Sequence, residues 1–217
     1  MHQYRIRLAP SLVESMTLAT MEAYCFRGPR ADKKSGVETY GYVWGTKKRT
    51  DGLTIFHLTK LSVSISAERS YMSVFPNPNT GVLKSQVLQR MAPHLTLLGD
   101  FHSHPWATQK SMKRDVGFNF SPGDFESFLE EDLFWETSDN NPVMLVQSVV
   151  RLRRKGRRRS GWQRQNVFYF DIDDHRFWIN AAVGYLDAKG NRQHTGNRTR
   201  AVIIEPISFM TNSSGAI

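Results

Sequence analysis

Leu95-Thr96-Leu97-Leu98-Gly99-Asp100-Phe101-His102-Ser103-His104-Pro105 is the stretch on which the reading of this chain turns. Its first part, through Phe101, is an apolar run of the length expected for a buried strand. Its second part sets His102 and His104 two positions apart, and on a strand such residues point to the same face. A strand buried within the protein that ends in two adjacent imidazoles combines a fold element with a chemical one.

Working outward, the flanking segments supply the layers such a strand needs. Tyr4, Ile6 and Leu8 alternate as in a half-buried strand, and Pro10 suits a helix start. Leu12 to Phe26 carries apolar residues at 12, 13, 16, 19, 23 and 26, which is helical spacing. A polar loop, Arg27 to Gly36, precedes strands over Tyr40–Gly45 and Leu53–Val63. The Asn77–Gly81 turn cluster leads into a short helix over Val82–Met91. A further helix is expected over Phe125–Trp135, with strands over Val143–Val150, Asn166–Asp171, Val183–Leu186 and Ala201–Ile204. Strands and helices mix along the whole length, so the class is α/β or α+β.

At 217 residues the chain fits one domain, or one with appendages. Hydrophobic residues at 40% and charged residues at 23% exclude a disordered chain, a collagen-like repeat and a disulfide scaffold. Cys25 has no partner within the chain, which makes a reducing cytosol the expected compartment. No apolar run approaches the ~18–20 residues of a membrane span, so no membrane partner is expected. The net charge of +9 is concentrated. Eight of the 29 Lys and Arg residues fall between Arg151 and Arg164, and without them the balance is +1.

Two imidazoles alone make a weak metal site, because a four-coordinate Zn²⁺ at a catalytic centre takes three protein ligands and keeps one open position. Downstream, Ser121-Pro122-Gly123-Asp124 opens the Phe125–Trp135 segment. It reads as a helix cap, with Ser121 as N-cap and an acid three residues later. A carboxylate in that first turn can also project toward a strand end, so Asp124 is a candidate third ligand. Metal-assisted hydrolysis further needs a base to take a proton from water. Glu38, just before the Tyr40–Gly45 strand, is the candidate, against its plain reading as a solvated loop carboxylate. The zinc-deaminase signature, a Gly-rich phosphate loop and a helical His-Glu-x-x-His are all absent.

Taken together, Glu38 ahead of Gly41 and Gly45, His102-Ser103-His104-Pro105, and Ser121 with Asp124 resemble the JAMM/MPN (JAB-type) metalloprotease family. The resemblance covers roughly residues 10 to 150 and is greatest to compact prokaryotic members. It implies an α/β fold with a curved mixed sheet flanked by helices, an architecture related to that of cytidine deaminases. It implies Zn²⁺ held by His102, His104 and Asp124, with Glu38 as general base and Ser121 donating to the oxyanion. Asp100 is then a candidate to orient a ligand histidine. The chain departs from the family in one respect: Asp115 stands at the usual spacing after the second histidine, and Asp124 lies nine positions further on. Asp124 is preferred because Ser121 stands three before it and a helix start surrounds it. The implied insertion lies around residues 106–120, where Trp106, Phe118 and Phe120 mix with Lys110, Lys113 and Arg114, as in a loop over the cleft.

The activity implied is hydrolysis of a peptide or isopeptide bond, with ubiquitin or a ubiquitin-like protein in the substrate conjugate. A non-catalytic MPN scaffold, or a nucleic-acid-associated module, is the alternative. A catalytic domain over residues 1–204 and a tail over 205–217 follow. The Arg151–Arg164 segment is expected to form a basic hairpin between the strands at 143–150 and 166–171. Its partner would be an acidic protein or nucleic acid, with Trp162 exposed beside the arginines.

Overall fold

A computed structural model describes residues 2–26, 36–70, 73–153 and 159–205. Its elements run β1 (Gln3–Leu8), α1 (Pro10–Cys25), β2 (Tyr40–Thr50), β3 (Leu53–Val63), β4 (Glu68–Arg69), β5 (Val74–Phe75), α2 (Pro78–Met91) and β6 (Thr96–Trp106). They continue with α3 (Gln109–Arg114), α4 (Pro122–Glu130), α5 (Asp132–Thr137), β7 (Val143–Arg151), β8 (Ser160–Arg164), β9 (Val167–Ile172), β10 (His175–Leu186), β11 (Arg192–His194) and β12 (Val202–Ile204). The class is α/β.

One mixed sheet dominates, in the order β12-β1-β3-β2-β6-β7-β10-β9-β8, with β11 paired to β10. β6 lies at its middle, antiparallel to β2 and parallel to β7. The parallel β6–β7 step needs a crossover, and α3, α4 and α5 supply it. The sheet curls into a half-barrel until its two ends meet. There Ile204 N donates to Gln165 O at 2.9 Å, and Trp162 Nε1 donates to Ile204 O at 3.0 Å.

The two faces of the sheet have different cores. One face buries α1 through Leu12, Val13 and Met16 against Ile6, Phe56, Leu58, Phe101, Leu145 and Ile179. The other is covered in patches by α2, α3, α4 and α5. Phe128 and Phe120 pack on Met144 and Val146, and Met112 packs beside Val150 and Trp178. Side chains alternate across β6, so Phe101 enters the α1 core while Asp100, His102 and His104 face the second layer. Gly99 permits this course. It has φ of +152°, and a Cβ there would lie 1.8 Å from Val143 O on the neighbouring strand.

The structure departs from the expected elements at several points. The Phe125–Trp135 helix is two helices, broken at Glu131 (φ −77°, ψ 86°). Phe128 and Trp135 stay buried across the break, and Trp135 Nε1 donates to Phe128 O at 3.1 Å, so one apolar stripe serves two short helices. The strand expected from Val183 begins at His175. The strands at 143–151 and 167–172 do not form a hairpin with each other, because β10 lies between them and pairs with both. The hairpins in this region are β8–β9 and β9–β10, the latter turning through Asp173 at φ +50°. Trp162 sits on β8 with its indole N–H engaged and its ring edge-on to Phe168. Arg154, Lys155, Arg157 and Arg158 of the basic segment, residues 206–217, and most of the loop expected at 27–36 lie outside the described residues. No helix of the described residues is long and apolar enough to cross a membrane.

Candidate metal centre

His102 and His104 sit near the end of β6, in register with Tyr40 of β2 and with Val146 and Ser148 of β7. Their ring centroids are 5.0 Å apart. The third member comes from the N-terminus of α4. Ser121 Oγ accepts from Asp124 N at 3.1 Å and Asp124 Oδ2 accepts from Ser121 N at 2.6 Å, so the capping box read from the sequence is formed. The same Oδ2 stands 3.4 Å from His102 Nε2 and 3.6 Å from His104 Nε2. Capping and ligand placement are therefore one arrangement: the cap holds the carboxylate at the angle that aims it at the strand end. One ligand atom from each of His102, His104 and Asp124 falls within 4.8 Å of the others, a group that can hold a metal ion. Among the described residues no other histidine, cysteine or acid forms such a group. Asp115 is exposed and forked onto the Arg114 guanidinium at 2.7 and 2.8 Å, so it takes no part.

The fit to a cation rests on an orphaned atom. His102 Nε2 is fully buried and makes no aligned hydrogen bond. A buried polar nitrogen left in that state costs ~1–3 kcal/mol, which a bound cation would remove. The charges agree. Burial pushes the Asp124 carboxyl up, but His102 and His104 beside it hold it far below the usual carboxylate range. Burial disfavours a charged His102, yet Asp124, Asp100 and Glu38 outweigh it and push the imidazole up to about 9. Burial keeps His104 below its usual value.

A pH dependence follows. Near pH 7 the metal-free His102 carries a proton, and a cation needs the lone pair that the proton occupies. Affinity for a divalent cation is expected to rise by about tenfold per pH unit up to about 9, the value to which His102 is raised. Calorimetric titration at pH 7 in two buffers of different ionisation enthalpy should report roughly one proton released per ion. Binding without proton release contradicts it.

Glu38 is brought to the same place. Its backbone N donates to Ser70 O at 2.9 Å. The next residue is moored to the ligand strand, where Thr39 N donates to Ser103 Oγ and Ser103 N donates to Thr39 O, both at 3.0 Å. The serine between the two histidines thus ties the Glu38 segment to β6, a role the side-chain pattern did not reveal. Glu38, Ser121, His102, Asp124 and Asp100 line one cavity of about 310 Å³, with Val74 and Phe75 of β5 at its rim. Burial pushes the Glu38 carboxyl up to about 7, partly opposed by His102. Asp100 is buried rather than solvated. Burial raises it to about 7, the Tyr40 hydroxyl lies within hydrogen-bonding reach, and Oδ1 has no partner among the described residues.

The 106–120 segment is not a loop over the cleft. α3 is anchored by Met112, and Phe118 and Phe120 are buried, because the aromatics fill the second core layer. The segment instead braces the centre from behind. The Gly117 carbonyl accepts from Trp106 Nε1 at 3.0 Å and from Ser148 Oγ at 2.7 Å, and the His104 ring lies within its reach. Val116, just before it, holds φ of +48°, a strained conformation for a β-branched residue. Further along, Asn197 accepts from Phe120 N at 2.8 Å and donates to Phe120 O at 2.9 Å, while Asn180 donates to Phe118 O at 3.0 Å. These two asparagines clamp the chain just before Ser121.

No family model matches this chain, and no curated protein matches it.

Proposed function

We propose that this chain is a zinc-dependent hydrolase of peptide or isopeptide bonds, with the JAMM/MPN-like arrangement its motifs suggest. The observation that carries the reading is the convergence of His102, His104 and Asp124, with Glu38, His102 and Asp124, from three separate segments, lining one cavity. Two imidazoles and one carboxylate suit Zn²⁺ and leave a coordination position open. When bound, the ion supplies Lewis-acid chemistry, polarising a carbonyl and lowering the pKa of water. The chain's own groups do the rest. Glu38, on the same cavity wall as His102 and Asp124 but outside the ligand group, is placed to accept a proton from water and return it to the leaving amine. Ser121 sits on the cavity wall with a hydroxyl hydrogen free to donate to a developing oxyanion, since its Oγ only accepts in the cap. By the resemblance of the motifs, the acyl part of the substrate is the C-terminal tail of ubiquitin or a ubiquitin-like protein. The curled mixed sheet, with α1 on one face and the site at the end of a central strand, supports the same family architecture.

The purified protein is expected to hold about one zinc per chain by elemental analysis, and His104→Ala to hold none. Cleavage of a ubiquitin-like protein from a conjugate, or of a fluorogenic amide at its C-terminus, should stop on chelation and return with zinc. Cleavage indifferent to chelation, or a wild type that binds no divalent ion, removes the reading.

A further inference from the structure

Cations from outside the basic run join two of its described members, Arg151 and Arg153. A second cleft, about 860 Å³, opens where β6 passes into α3. Lys110 and Lys113 line it from one side, and Arg151 and Arg153 from the other. The two lysines are at i and i+3 on α3, so they share a face. Met112, buried between them, holds that face outward. The opposite wall is equally fixed: Leu152 N donates to Asp174 O at 2.6 Å, and Asp174 takes Arg151 Nε at 2.7 Å and His175 Nδ1 at 2.9 Å. That one acid is thus already shared by two partners. Lys110, Lys113 and Arg153 have no acidic partner among the described residues. Two segments some forty positions apart have been brought together to face like charges across a gap, an arrangement that repels itself unless an anion enters.

We infer that this cleft binds an acidic stretch of polypeptide, carried by the protein on which the centre acts. This rests on the hydrolase reading for the identity of the carrier, though not for the binding itself. Three features favour a polypeptide over nucleic acid. No aromatic ring lines the cleft, so bases have nothing to stack on. Trp106, just before the cleft, is only partly exposed and its indole N–H is bonded to Gly117 O. The cations are gathered in a concavity rather than spread along a track, and outside Arg151–Arg164 the chain is almost neutral. The cleft begins at Ala107, just past the end of the strand that carries His104 and three residues on from it in the chain. A bound acidic stretch would therefore hold its carrier close to the centre.

The test measures binding and needs no hydrolysis. A fluorescein-labelled peptide of about ten glutamates is titrated by anisotropy at about 50 mM and about 300 mM salt. A DNA duplex and a single strand of equal charge are run beside it. The proteins are wild type, Lys110→Ser/Lys113→Ser and Arg157→Ser/Arg158→Ser/Arg159→Ser, each checked for unchanged zinc content. The peptide should bind wild type more tightly than either nucleic acid does. The lysine pair should weaken it by about tenfold at low salt, and the difference should shrink at high salt. If the lysine pair binds like wild type while the arginine triple loses binding, the basic run acts alone and the cleft is not the site. Tighter binding of duplex DNA, abolished by the same variants, overturns the polypeptide assignment, and no binding of any probe overturns the site. If hydrolysis is absent yet peptide binding depends on the lysines, the hydrolase reading fails and the cleft stands.

Discussion

Replacing Glu38 by Gln is expected to lower hydrolysis by ~10²–10⁴-fold while leaving the zinc in place. Glu38 is not among the three groups whose ligand atoms converge, so its loss should not release the ion. Gln keeps the shape and the backbone bonds to Ser70 and Ser103 through residues 38 and 39, so the cavity should keep its form. The same variant carries a stability signature of opposite direction. In the metal-free protein the carboxyl is raised from 4.5 to about 7, mainly because burial penalises its charge. Between those values the unfolded chain gives up this proton and the folded one keeps it, so wild-type stability falls as pH rises through that window and then levels off. Gln has no charge to bury. The metal-free variant should therefore match wild type near pH 4.5 and be more stable at pH 8, by up to a few kcal/mol. Urea midpoints at the two pH values, with zinc content and turnover, check both halves. Full activity in Glu38→Gln would eliminate Glu38 as the base.

The second large effect is expected at a residue with no side chain. A Cβ on Gly117 would fall 2.1 Å from Trp106 Cε2 and 2.4 Å from its Nε1, inside the indole. Either the ring or the 116–118 backbone must move, and the carbonyl that receives Trp106, Ser148 and faces His104 moves with it. Gly117→Ala should cost about 2–4 kcal/mol, from repacking and from a buried Ser148 hydroxyl left unpaired. It should also weaken zinc binding by ~10–100-fold, the usual consequence of losing a group that orients a ligand histidine. Pairing it with Trp106→Phe, which makes room for the methyl, should restore part of both. A Gly117→Ala protein that is destabilised yet binds zinc like wild type would show that the carbonyl does not position His104.

The parts of this protein that were readable in advance are those written in side-chain periodicity. α1 and β6 are runs of apolar residues at helical or strand spacing, and they fall close to where expected. The three converging groups were readable because their chemistry is borne by side chains at element ends, and Asp124 was separable from Asp115 by the helix cap around it. Strand partnership was not readable. Periodicity says which residues are strands but not which are neighbours, so β10 slipped between two segments that looked like a hairpin. Asn180 helped conceal β10. It is a polar residue inside a buried strand, and its reason for being there, Phe118 O and the Asn197 side chain, lies elsewhere in the chain. The Gly117 carbonyl was beyond side-chain reading altogether, because every residue has one.

The meeting of the sheet's two ends has a bearing on how the protein is made. β1 sits between β3 and β12, pairing Tyr4 with Thr54 on one side and with Val202 on the other. A ribosome adding ~5–20 residues per second takes ~10–40 s to travel from the first strand to the last. Throughout that interval Tyr4 to Ile6 present an open edge, ready to accept any extended segment nearby. The β1–β12 pairing forms only once β12 has been made, and until then the nascent chain is exposed to adopting a strand from a neighbour on the same message.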